Sequence, residues 1–176
     1  RRQHKGIIRD RLPNGRQMGA VGKVPTDPDG DNMWAVIRCD AGGDRLGTEC
    51  LDSDLDPVVK FDLDGNLVDS FGAGMFAFPH GFALDRDGFL WVPEGGSHGD
   101  ARATLGESMG IGHQVLKLTK QGEVVMRLGE AAVWGDDENH FNGPSGVAIA
   151  ANGDIWVSDG HRGGNNRIVK FTRDGM

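Results

Sequence analysis

The chain has 176 residues, a net charge of −7 and a pI near 5.3. That balance excludes a nucleic-acid surface, which needs a clustered basic stripe, and no apolar run approaches the ~18 residues of a membrane span. Gly supplies 29 residues, far above the ~7% average, as a chain of tight turns requires.

Residues 1–19 open with Arg1, Arg2, Lys5, Arg9 and Arg11 and read as a solvated leader or partial strand. Residues 25–38, PTDPDGDNMWAVIR, give a polar turn and then an apolar run around Trp34. After a variable stretch at 39–56, VVKFDLDGNLVDSFG (58–72) reads as a hairpin turning at Asp62-Leu63-Asp64-Gly65. Residues 79–94, PHGFALDRDGFLWVPE, repeat the first pattern more fully: Pro-x-Gly, an alternating run, a turn ending in Gly88, an apolar-Trp-Val run and an acid. A variable insert runs from Glu94 to Gly112 and holds six Gly; QVLKL (114–118) and EVVMRL (123–128) then pair across Lys120-Gln121-Gly122. Residues 144–159, PSGVAIAANGDIWVSD, are the third copy, followed by RIVKFTRDGM at 167–176.

Period-2 strands in a recurring unit of this size predict repeated four-stranded antiparallel sheets packed radially, first strands innermost. The fold expected is therefore an all-β propeller with three blades present, over about 20–75, 76–133 and 139–176. The last blade stops in its third-to-fourth turn. Closed propellers have about 4–8 blades, so the chain reads as an incomplete part of a closed propeller. The alternative is two copies closing one ring, and open blade edges invite such association.

This order places the functional face. First-to-second and third-to-fourth turns share one face and are short and uniform: DPDGD, DRDGF, AANGD, DLDGN, TKQGE. The opposite face carries the irregular segments 39–56, 95–112, 130–143 and 160–166, and sites are built on such loops. Position on that face converges His80, Arg38, Asp159 and His161 on one mouth. His113 opens a third strand farther from the axis, where it is expected to hydrogen-bond the loop. His98 and His140 read as solvent-exposed loop residues, and His4 lies in the leader. Trp34, Trp91 and Trp156 sit at equivalent second-strand positions and read as packing between sheets.

FPHGFALDRDGFLWV (78–92), GHQVLKLTKQGE (112–123) and NHFNGPSGVAIAANGDIWVSDGHRGGNNRIVKF (139–171) resemble the NHL-repeat β-propellers. Within them they look most like the peptidyl-α-hydroxyglycine α-amidating lyase-like branch. The resemblance implies a six-bladed propeller that converts a peptide's C-terminal hydroxyglycine into an amide and glyoxylate. It also implies zinc (Zn2+) held near the axis by three histidines, with calcium (Ca2+) close by. On this sequence it makes His80 a zinc ligand and gives the backbone carbonyl of Phe82 to calcium. It makes Arg38 the residue that meets the substrate's charged groups. His161 falls where the lyase has its catalytic tyrosine, and this chain has no Tyr. His161 is read as a base, a metal ligand or a polar loop residue.

Cys39 and Cys50 are the only cysteines and flank one variable loop. A disulfide fits a secreted or periplasmic protein; two free thiols in a cytosolic one are the open alternative. Asp52, Asp54 and Asp56 lack the spacing of an EF loop and read as a solvated loop. Two function classes remain: a metal-dependent lyase acting on a small molecule or peptide C-terminus, and a non-catalytic propeller that binds a protein or ligand on the same face.

Overall fold

The computed structural model describes residues 8, 12–13, 16–39, 50–51, 53–96, 100–161 and 164–176, with residues 100–104 described by their backbone only. The basic leader residues, His4, Asp52 and His98 lie outside them.

Three antiparallel sheets follow in chain order. The first joins β1 (Asn32–Val36), β2 (Val58–Asp62) and β3 (Leu67–Phe71). Its innermost strand is a looser segment tied on by the bridges Val21↔Ile37 and Thr26↔Met33. The second runs β4 (Ala83–Leu84), β5 (Leu90–Glu94), β6 (Gln114–Leu118), β7 (Val124–Leu128), and the third β8 (Pro144–Ile149), β9 (Ile155–Asp159), β10 (Arg167–Phe171). The uniform turns explain why consecutive strands pair. Each turns on a glycine with positive φ, from 79° at Gly65 to 92° at Gly153, a conformation other residues reach only with strain. Aspartates brace them: Asp85 Oδ1 accepts the backbone N–H groups of Asp87 and Phe89 at 3.0 and 2.9 Å.

Alternation buries one face of each sheet against the next. Trp34, Val36, Phe76, Phe82, Leu90 and Leu118 form one core cluster; Trp91, Val115, Phe141, Val147, Ile155 and Val157 form another. Two of the tryptophans carry a buried carboxylate with them. Trp34 Nε1 donates to Asp27 at 2.9 Å, and Trp91 Nε1 donates to Asp85 at 3.0 Å. Lys120, from the second sheet, reaches back to Asp27 in the first at 2.6 Å.

Trp34 and Trp91 each pack against the sheet that follows their own, as expected, and Trp156 stands on the face of the third sheet turned away from the second core cluster, 43% exposed. One expectation is corrected. The glycine-rich insert contains α1 (Asp100–Met109). Ala and Leu at 101, 103 and 105 favour a helix, Gly110 ends it at φ 66°, and Leu105 packs beside Leu51, Ala77 and Ile111. Cys39 and Cys50 form a disulfide that spans 11 residues, and both are buried. None of the described helices is long and apolar enough to cross a membrane.

Candidate functional site

The Pro-x-Gly segment enters the second sheet's innermost strand, and pairing fixes its backbone. His80 N–H donates to the Pro93 carbonyl at 3.0 Å, and Gly95 N–H to the Phe78 carbonyl at 3.0 Å. The third sheet meets it here. His80 Nδ1 donates to the Ser145 carbonyl at 2.9 Å. The His161 ring, held by His161 N–H to the Gly143 carbonyl at 2.9 Å, lies 4.4 Å from the His80 ring at 55°. Phe78 is the hub beneath both, with centroids 5.4 Å from His80 and 5.3 Å from His161. The first sheet contributes Arg38, whose guanidinium carbon lies 4.0 Å above the same ring.

Residues from three sheets thus surround one aromatic ring, beside a cavity of about 390 Å³ on the variable-loop face. Arg38, His80 and Phe82 line it, with Lys23 and Ser145. Asp159 does not join them. Its carboxylate is buried and accepts Asn142 N–H at 2.7 Å, Asn165 Nδ2 at 2.7 Å and Arg167 Nε at 3.0 Å, so it braces the third sheet.

The Ser145 bond fixes the His80 tautomer: a carbonyl only accepts, so Nδ1 carries the proton and, in the neutral ring, Nε2 the lone pair. Carbonyl-braced imidazoles of this kind are the usual form of a metal-ligating histidine. His80 therefore fits one position of a zinc site. Among the described residues, no group of three or more His, Cys, Asp or Glu is gathered to complete one. Calcium fits less well. It takes 6–8 oxygen ligands, whereas Phe82 offers one carbonyl and, among the described residues, no carboxylate lines the cavity.

Glu94, at the end of β5, was not expected in the site. It is wholly buried, and its carboxylate accepts the N–H groups of Phe78 at 2.7 Å, Gly96 at 3.1 Å and Ala77 at 3.2 Å. It therefore clamps the backbone that carries the Phe78 hub. Burial pushes its carboxyl up to about 7 against the pull of those three donors. The sequence held the signal: Glu94 is the repeat counterpart of Asp159. Asp159 pairs in register with Arg167, whereas Glu94 pairs with Gln114, so Glu94 lacks that counter-ion.

The other described histidines, His113 and His140, serve the scaffold. His113 is buried, with φ 56°, and its ring fills the space beside Gly96. His140 is not simply exposed. It sits between Asp137 and Glu130 at 2.8 and 3.3 Å, and these carboxylates raise its pKa.

The comparisons agree with the fold. The NHL repeat family model matches residues 141–171. A probable peptidyl-α-hydroxyglycine α-amidating lyase of Caenorhabditis elegans is 42% identical over 119 residues, covering 67% of this chain and 29% of that protein. The peptidylglycine α-amidating monooxygenase of Rattus norvegicus is 34% identical over 125 residues, covering 68% and 11%. The chain thus spans less than a third of these relatives. Among solved structures, a catalytically inactive virginiamycin B lyase of Staphylococcus aureus with quinupristin superposes with a TM-score of 0.55. It is 19% identical and covers 94% of this chain and 42% of its own. At that identity the likeness concerns the fold alone.

Proposed function

The chain is an NHL-type β-propeller of the peptidyl-α-hydroxyglycine α-amidating lyase-like branch, and we propose from that premise that its variable-loop mouth cleaves the C–N bond of a peptidyl-α-hydroxyglycine or a similar small substrate. One observation supports this above the others: Arg38, His80 and His161 meet around Phe78 beside a cavity of about 390 Å³.

Each residue then has a chemical task. The planar fork of Arg38, braced on the Phe78 ring, takes the substrate carboxylate. His80 is the ligand this chain offers to zinc, which when bound would acidify the substrate hydroxyl as it does a bound water. His161, against the His80 ring, takes the hydroxyl proton as a general base. The hydroxyl oxygen's electrons form the aldehyde C=O of glyoxylate, and the C–N pair leaves with the amide nitrogen. That nitrogen takes up one proton, so no water or oxidant is consumed.

A second reading rests on one specific fact, that the chain has no Tyr: a non-catalytic propeller that binds a protein or ligand at the same mouth. Glyoxylate release from a hydroxyglycine-ended peptide separates the two. The lyase reading expects release that falls ~10²-fold or more in His161→Ala, the usual contribution of a positioned base. Absence of release from the full-length protein supplied with zinc leaves the binding module.

A further inference from the structure

One position of the innermost strands breaks the repeat. The bridges Val21↔Ile37 and Thr26↔Met33 in the first sheet correspond to Pro79↔Glu94 and Leu84↔Leu90 in the second, and to Pro144↔Asp159 and Ile149↔Ile155 in the third. With both ends matched, Lys23 falls on Gly81 and Gly146. In the second sheet crowding demands glycine, since a Cβ on Gly81 would lie 2.6 Å from the Ser145 carbonyl oxygen; in the third, a Cβ on Gly146 would lie 2.7 Å from Ser158 Oγ, a hydroxyl that would have to rotate. The first sheet places a long amine there instead.

The surroundings of Lys23 point to its use. Its neighbour Gly22 packs so closely on the His80 carbonyl that a Cβ would collide with it, so Lys23 leaves the backbone beside His80. Lys23, Arg38 and His80 line the same cavity, and no carboxylate is among the described residues of its lining. Among the described residues the Lys23 ammonium makes no ion pair. Two cations facing one small concavity raise the local concentration of anions. The two differ in kind: Arg38 is a planar group laid on Phe78, and Lys23 is a mobile point charge.

We propose that Lys23 is a second carboxylate-binding residue of this cavity, so that a small anionic acid seated beside His80 shares its carboxylate between Lys23 and Arg38. The idea rests on the reading above for the cavity and not for the reaction.

The test uses hippurate, a benzoylated glycine with a free carboxylate and no hydroxyl to react, and hippuramide, its neutral counterpart. Calorimetric titration of the full-length protein should show hippurate binding that weakens about tenfold in Lys23→Met, the loss of one charge-assisted hydrogen bond at a solvated site. Lys23→Arg should keep affinity within about threefold, because it keeps the charge. Hippuramide binding should be the same in wild type and Lys23→Met. Three results would overturn the proposal: no hippurate binding by wild type, hippurate binding unchanged in Lys23→Met, or equal losses for hippurate and hippuramide. Lys23-dependent hippurate binding by a protein that releases no glyoxylate would sink the lyase reading and leave this one standing.

Discussion

Replacing Glu94 with Gln tests the most unusual electrostatic feature of the mouth. Glu94 is fully buried and its carboxyl is pushed up to about 7 from 4.5. A raised acid binds its proton more tightly in the folded state. Its stabilising contribution is therefore complete below the unfolded pKa of 4.5 and is lost as pH rises through the folded value near 7. At ~1.4 kcal/mol per pKa unit the whole swing is ~3 kcal/mol. Urea unfolding from pH 5 to 8 reads it directly. Wild type should lose most of that ~3 kcal/mol more than Glu94→Gln across the window. Every other titrating group is common to both proteins and cancels in the difference. The swing should also reach the site, since the carboxylate holds the Phe78 peptide beneath His80, His161 and Arg38. Parallel stability–pH curves for the two proteins would contradict a raised Glu94 carboxyl in the folded state.

Reduction of the Cys39–Cys50 bridge, or Cys39→Ser with Cys50→Ser, should cost about 2–4 kcal/mol in urea unfolding, as closure of a short loop does; an unchanged midpoint would contradict it. Gly22→Ala should cost about 1–3 kcal/mol and weaken ligand binding together, because its Cβ meets the fixed His80 carbonyl rather than a side chain that can swing away. A crystal structure of that variant with the His80 backbone in place would count against the close approach.

Signals carried by neighbouring residues were legible in the sequence. Asp-x-Asp-Gly fixes a turn through its own carboxylate and one positive-φ glycine, and Trp-Val after that turn marks a second strand wherever it occurs. From this phase the face holding His80, Arg38 and His161 follows. Properties that depend on distant groups did not show. Glu94 and Asp159 look alike as strand-ending acids, and only their cross-strand partners, Gln114 and Arg167, separate a proton-binding carboxyl from a salt-bridged one. Trp156 matches Trp34 and Trp91 in sequence but differs in what packs against it. Phe78 reads as one more apolar residue until three sheets bring their polar groups onto its ring. Helix α1 was hidden because six glycines in the insert outweighed the run of helix formers between them.

Elemental analysis of the full-length gene product beside its His80→Ala variant is the decisive test of the proposed role of His80 as a zinc ligand. About one zinc per chain, lost in a variant that unfolds at the same urea midpoint, is the result expected, with the Ser145-braced imidazole offering Nε2 to the metal. A folded wild-type protein without zinc, or one whose zinc survives the substitution, would contradict it.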